Sequence, residues 1–237
     1  STKRGAMIGS LRSSAENKKT KAYERLELLA RSDSNTERVE ASELIAESTN
    51  PALWEVLLPL LNDEDLNVKK SALRSATKIR RAELYPSIIP ALGSPQTRSL
   101  AFNALTVGGN DALPAIIASL KDENLHRRIH LRLIRACSNI KSQEAVHVLE
   151  GLIRHPNASI RSRTLMALHD CRYKPERESI SLVNEQVAAE FRRAAWLLGT
   201  VHDLGKSTQA NVMERAASHD IEETINRLFH LFGFLYE

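Results

Sequence analysis

Residues 51–79 read PALWEVLLPLLNDEDLNVKKSALRSATKI. In the first half, Leu53, Val56, Leu57, Leu60 and Leu61 fall at helical spacing and share one stripe, which predicts a short apolar helix. Asn62-Asp63 then break the pattern, and a second helix opens near Lys69. The same unit recurs at 83–109, ELYPSIIPALGSPQTRSLAFNALTVGG, at 110–140, NDALPAIIASLKDENLHRRIHLRLIRACSNI, and at 142–171, SQEAVHVLEGLIRHPNASIRSRTLMALHDC. Turn chemistry returns at Gly93-Ser94-Pro95, Asp122-Glu123-Asn124 and His155-Pro156-Asn157, where short polar side chains can cap the next helix. A basic or histidine position returns with it, at Lys69, Arg98, His126 and Arg161, and Arg38 in TERVEASELIAES extends the column upstream. The spacings, 31, 29, 28 and 35 residues, give a period near 30 with two helices per unit. Such a pair cannot bury its apolar face alone, so neighbouring pairs must stack.

The pattern resembles the HEAT-repeat family, whose second helix often begins Asp-Pro-x-Val-Arg; NVKK, QTRS and SIRS stand in that place here. The resemblance spans roughly residues 20–171 and implies fold rather than function. The expected class is all-α, an α-α superhelix (HEAT-like solenoid) closed by a longer C-terminal helical hairpin. The expected divisions are a disordered basic tail at 1–18, about five helix pairs at 19–172, and a helix pair at 177–237 packed on the solenoid end. The final pair is expected to consist of long helices at 177–204 and 207–235, after the charged break RYKPERES. Pro51, Pro86 and Pro114 fall near first-helix starts, while Pro59 and Pro90 sit deeper and predict a bend or an early end.

Composition supports the helical expectation. The 237 residues are 42% hydrophobic and 5% aromatic, with 9 Gly and 8 Pro. No apolar run reaches the roughly 18–20 residues of a membrane span. Cys137 and Cys171 suit core thiols and supply neither a disulfide framework nor a metal set. Six cations in residues 1–22 (Lys3, Arg4, Arg12, Lys18, Lys19, Lys21) face Glu16 alone, a local net of +5 that leaves −1 for the remainder of a chain whose net charge is +4. That distribution argues against a body that grips a polyanion, and no nucleic acid is expected as a partner. The basic tail fits either a solvated tail or linker or, more sharply, a segment beside a membrane helix on its cytoplasmic side. The chain opens on Ser and closes on the apolar LFHLFGFLYE, so a boundary inside a longer protein is expected.

VHDLGKS at 201–207 is similar to the His-Asp core of HD-family phosphohydrolases. That resemblance implies metal-assisted hydrolysis with His202 and Asp203 as ligands, His169 or His155 as the upstream histidine and Asp220 as the distal carboxylate. The competing expectation is helix-end chemistry, with His202 near a C-terminal dipole and Gly205 as a cap. GKS lacks the upstream glycine of a phosphate loop, because position 200 is Thr. The chain is therefore expected to be no enzyme and to hold no cofactor, and its partner face is expected at Lys69, Arg98, Arg127, Arg132 and Arg161.

AAEFRRAAWLLGTVHDLG followed by VMERAASHDIEETINRLFHLFGFLYE resembles the HEAT-like extension behind the membrane domain of bacterial ATP/ADP-type nucleotide transporters. Glu190, Arg192, Arg193, Ala194 and Leu198 carry the first motif, E-x-R-R-A-x-x-x-L, while Arg227, Phe229, Leu231, Phe234 and Tyr236 carry the second. Phe232 and Phe234 stand where that family usually has leucines. The resemblance implies a non-enzymatic regulatory scaffold on the cytosolic face of a membrane, whose partner is a protein or its own membrane domain. A free-standing HEAT-like adaptor is the alternative.

Overall fold

The computed structural model describes residues 2–11, 16–48, 51–122, 124–204 and 211–236, and among them every regular element is helical. The chain divides into two compact units, 1–142 and 143–237.

The first unit begins with α1 (Thr2–Leu11), α2 (Glu16–Ala30) and α3 (Asn35–Ser48). A one-turn 3-10 segment at Pro51–Leu53 leads into α4 (Trp54–Leu61), which turns into α5 (Leu66–Ile79). The next pair is α6 (Tyr85–Ile88), flanked by 3-10 turns, and α7 (Arg98–Gly108). The last is α8 (Leu113–Leu120) with α9 (Arg127–Ile140). First helices α2, α4, α6 and α8 touch in order, as do second helices α3, α5, α7 and α9. The result is a two-layer all-α stack of HEAT-like repeats. Its core lies between the layers, where Leu26, Leu44, Ile45, Leu57, Leu73 and Leu92 are fully buried.

Local chemistry sets the helix limits. Asp65 caps α5 by accepting from the Asn67 and Val68 amides at 2.8 and 3.1 Å. Pro86 and Pro114 sit in the first turns of α6 and α8, where no amide partner is needed. Pro90 ends α6 early, in a 3-10 turn. Pro59 instead lies in the last turn of α4, which continues to Leu61.

Each second helix from α5 to α9 stops at a residue with positive φ: Arg80 (49°), Gly109 (59°) and Lys141 (56°). Arg80 and Gly109 lie eleven residues after Lys69 and Arg98. Counting back eleven from Lys141 gives His130, not His126. The repeating column is therefore Arg38, Lys69, Arg98, His130 and Arg161, with even spacings of 31, 29, 32 and 31. His126 is the cap of α9, accepting from the Arg128 amide at 3.2 Å. Two similar side chains four residues apart shifted the sequence register by one turn.

The expected disordered tail differs in the structure: Thr2–Leu11 is helical and touches α2 and α3, residues 12–15 lie outside the described residues, and α2 already starts at Glu16.

The second unit holds α10 (Gln143–Glu150), α11 (Ala158–Asp170), α12 (Arg177–Leu204) and α13 (Asn211–Tyr236). Asn157 caps α11 through the Ser159 and Ile160 amides at 3.0 and 3.3 Å, and Arg172 (φ 53°) follows its end. Helices α12 and α13 pack along each other, and α13 also packs on α11. The long hairpin was legible from the sequence; Gly205, expected as a cap, lies outside the described residues.

Candidate interaction surfaces

Two of the five column residues, Arg38 in the first unit and Arg161 in the second, perform the same structural task. Arg38 Nη1 donates to the carbonyls of Ser32 and Asp33 at 2.8 and 3.2 Å, six and five residues back. Arg161 Nη1 repeats this with His155 and Pro156, both at 2.9 Å. Each arginine thus satisfies carbonyls left over at its own inter-helix turn. Each then reaches a carboxylate of the following repeat: Arg38 grips Asp63 in a fork at 2.7 and 3.0 Å, and Arg161 Nε donates to Glu190 at 2.9 Å. Burial pushes the Asp63 carboxyl up, but the Arg38 and Asp65 hydrogen bonds and the charges of Arg38 and Lys69 outweigh it, so the net shift is downward. In the third repeat Thr97 Oγ1 donates six residues back, to the Ala91 carbonyl at 2.7 Å.

Of the expected partner-face residues, Arg161 requires correction: it is 8% exposed, and its guanidinium is committed to Glu190 and the turn carbonyls. Lys69 is half-buried near Asp63, while Arg98 and Arg127 are exposed. Arg132 is half-buried and donates to the Leu92 carbonyl. Burial, then the charges of Arg98 and Arg128, lower the Arg132 pKa, so these three cations crowd one another.

A buried ionic cluster escaped the sequence. Glu190 is 1% exposed and Arg227 is 2% exposed. Glu190 Oε1 accepts from Arg161 and, at 3.1 Å, from Gln186 Nε2. Arg227 Nη2 sits 3.0 Å from Glu190 Oε2 and donates to Thr224 Oγ1 at 2.8 Å, so its contact with Glu190 is an ion pair by proximity rather than an aligned hydrogen bond. Arg227 Nη1 also donates to Ser162 Oγ at 3.0 Å. One carboxylate thus ties α11, α12 and α13 together. The available signal was position: Glu190 lies on the same stripe as buried Val183, Gln186 and Leu197, where a charge needs a partner.

The outer stripe of α12 and α13 is apolar and exposed. Ile180, Phe191 and Leu198 share it on α12, at 38%, 51% and 57% exposure, with Ile225, Phe229 and Tyr236 on α13. Phe191 meets Phe232 edge-on at 5.9 Å, joining the two rows.

The HD candidates do not assemble. His202 and Asp203 are exposed in the last turn of α12. His169 instead faces His230 on α13, with ring centroids 5.4 Å apart, beside a 570 Å³ cavity lined by Asp170, Tyr173 and Lys174. His155 Nδ1 accepts from the Asn157 amide. Asp220 lies 4.0 Å from Arg193. Among the described residues no three His, Cys, Asp or Glu side chains form a group that could hold a metal.

No family model matches the chain, and no curated protein matches it. Solved structures are similar in fold. A HEAT-like repeats protein from the archaeon Thermococcus onnurineus NA1 is 13% identical, with a TM-score of 0.45, over 95% of this chain and 98% of that one. The complex of CpcE and CpcF of phycocyanin lyase from Nostoc sp. PCC7120 is 16% identical, with a TM-score of 0.39, over 92% and 94%. An engineered protein is 18% identical, with a TM-score of 0.37, over 98% and 97%. Likeness at this level says nothing of activity. Among the described residues no helix is long and apolar enough to cross a membrane.

Proposed function

We propose that the chain is a non-enzymatic HEAT-like interaction scaffold and that it serves as the cytosolic extension of a nucleotide-transporter-like membrane protein. The observation that carries the scaffold role is the shared use of Arg38 and Arg161: both charged side chains are committed to locking their own turn and gripping the next repeat. The exposed apolar stripe of α12 and α13 supports a surface that is covered in an assembly. The transporter assignment draws on the motif resemblance, and the packing gives that motif a physical sense. Its Glu190 and Arg227 are the two charges that meet at the centre of the hairpin.

The test is to read the native gene on both sides of this chain and to ask whether the product fractionates with membranes. About ten or more apolar spans of roughly 20 residues in the same frame support the extension. A start codon beside Ser1 and a product that stays out of the membrane fraction overturn it and leave the free-standing adaptor. For the scaffold itself, in-cell cross-linking should return reproducible protein contacts. Metal-dependent phosphohydrolase turnover, lost in His202→Ala, would overturn the non-enzymatic assignment.

A further inference from the structure

The near-neutral charge of the body conceals a segregation. Residues 20–65 hold four Lys and Arg against eleven Asp and Glu, 4 − 11 = −7, whereas residues 66–142 hold thirteen against four, 13 − 4 = +9. Averaging the two halves hides both. The corrected repeat register shows where these charges sit. Five residues after the column position come Glu43 on α3, Arg74 on α5, Asn103 on α7 and Arg135 on α9. Nine residues after it come Glu47, Lys78, Val107 and Asn139. These positions lie on the outward side of the second helices, and the two on α3 are occupied by the chain itself. Arg4 of α1 donates to Glu43 Oε2 at 3.0 Å through Nη1, and to both Glu47 oxygens, at 3.1 Å through Nε and through Nη2. Helix α1 therefore shows how a helix docks on this face: one side chain is matched to two charges a turn apart.

On α5 the same two positions carry the opposite sign, Arg74 and Lys78, both exposed, with Lys70 completing the row. On α9 the row is Arg128, Arg132 and Arg135. Among the described residues Lys70, Arg74, Lys78 and Arg128 have no carboxylate at ion-pair distance. Resting on the scaffold reading above, we infer that the face formed by α5, α7 and α9 docks an acidic helix of a protein partner, its carboxylates matching Arg74 and Lys78 as Arg4 matches Glu43 and Glu47. Neighbouring helices pack about 8–10 Å apart, so α5 to α9 spans about 20 Å. A helix of about 13 residues covers that length.

A protein fits better than a nucleic acid. The aromatic ring in this face, Phe102, is half-buried under the Arg135 guanidinium at 5.4 Å, so its stacking surface is taken. The cations come in two rows, with Arg98 at the start of α7 and polar Ser99 and Asn103 along the rest of the helix between them, and the acidic α3 follows. A continuous phosphate backbone would meet a thinly charged strip and then repulsion.

The test uses the full chain and a fluorescein-labelled helical peptide of about 16 residues with glutamates at i, i+4 spacing, read by anisotropy. Saturable binding is expected, weaker at about 150 mM than at about 50 mM NaCl. R74E/K78E should weaken it by about tenfold or more. K174E/R177E, which changes net charge equally on the other unit, should leave it within about twofold. A lysine-for-glutamate peptide should regain binding to R74E/K78E. Circular dichroism checks that each variant is folded. Any of four results overturns the inference: no saturation up to about 200 µM peptide, equal loss in both variants, tighter binding of an oligonucleotide of matched length, or salt-sensitive self-association abolished by R74E/K78E, which would make a second copy the occupant. Cross-links to a partner that map elsewhere would overturn this site and leave the scaffold role standing.

Discussion

Glu190 shows what one side chain contributes here. It faces Arg161 and Arg227, both buried. Removing one partner of a buried ionic group leaves the other charges uncompensated, which costs about 3–5 kcal/mol. Glu190→Gln keeps the size but removes the charge and turns one acceptor oxygen into an N–H donor facing an arginine, and it is expected to lower unfolding free energy by about that amount in urea denaturation. A loss below about 1 kcal/mol would mean that the arginines find carbonyl partners instead. Replacing all three charges at once, R161M/E190L/R227M, is expected to recover only part of the loss, because the desolvation penalty disappears with the charges while the His155 and Pro156 carbonyls lose their donor. Tyr173 makes a milder case nearby. Its hydroxyl donates to Glu150 at 2.5 Å, Ser179 donates to the same oxygen at 2.9 Å, and burial is the main cause of the raised Tyr173 pKa. Tyr173→Phe should therefore lower stability by about 1.5–3 kcal/mol, the scale of a hydrogen bond to a charged group, measured by the same denaturation.

At the scale of the element, helix ends mark the repeat. Arg80, Lys141 and Arg172 accept a left-handed backbone that is unfavourable for residues with a Cβ by roughly 1–2 kcal/mol. Arg80→Gly and Lys141→Gly should raise the melting temperature slightly, by a net gain below about 1 kcal/mol after the entropy of the unfolded glycine is counted. Gly109 is the reverse case: its φ of 59° with ψ of −133° is open to glycine alone, so Gly109→Ala should destabilise by about 1–3 kcal/mol. Its neighbour Gly108 has a different constraint. A Cβ there would overlap the Tyr85 hydroxyl and come within 2.5 Å of its Cζ, so Gly108→Ala should cost about 1–3 kcal/mol, and Tyr85→Phe should relieve only a fraction of it. These ends also show what the sequence could reveal. The apolar positions Leu53 to Leu61, and Ile180, Val183, Phe191 and Leu198 in the long helix, recur at helical spacing, so the elements and the hairpin were legible, although of the latter four only Val183 is buried. The column at His126 or His130 was not, because both residues suit a cap and both suit a buried position, and only the backbone of Lys141 decides between them. The Glu190 cluster joins residues 29 and 37 positions apart on three helices, and no local period encodes such a pairing.

At the scale of the whole molecule, the two units carry different proton switches. In residues 1–142 two carboxyls are depressed: the exposed Glu83, by a backbone hydrogen bond and then Arg81, and Asp63, where burial opposes the shift and the Arg38 hydrogen bond and charge prevail. A carboxyl depressed on folding contributes stability that is present above its unfolded pKa of about 4 and is lost as pH falls through the folded value. The second unit has such a group too, Glu150, which burial pushes up and the Tyr173, His147 and Ser179 hydrogen bonds bring down. It also has two histidines whose pKa is lowered: His155, by burial and then by Arg161, and His230, by burial and then by His169. For these the unfolded chain takes up a proton first, so stability is whole above about pH 6.5 and falls as pH drops through that value toward the folded pKa. The second unit should therefore begin to weaken between pH of about 6.5 and 5, where Asp63 still holds the first unit steady. Equilibrating the chain in urea at each pH, then pulse-labelling with deuterium at one fixed pH, reads α5 and α11 separately. The midpoint for α11 should fall across that window while that for α5 stays level. In H155N/H230N the α11 midpoint should become flat until the carboxylate range is reached. If both midpoints fall together from neutral pH, the histidines do not set the difference. If neither falls above pH of about 4, their burial in the folded unit contributes nothing to its stability.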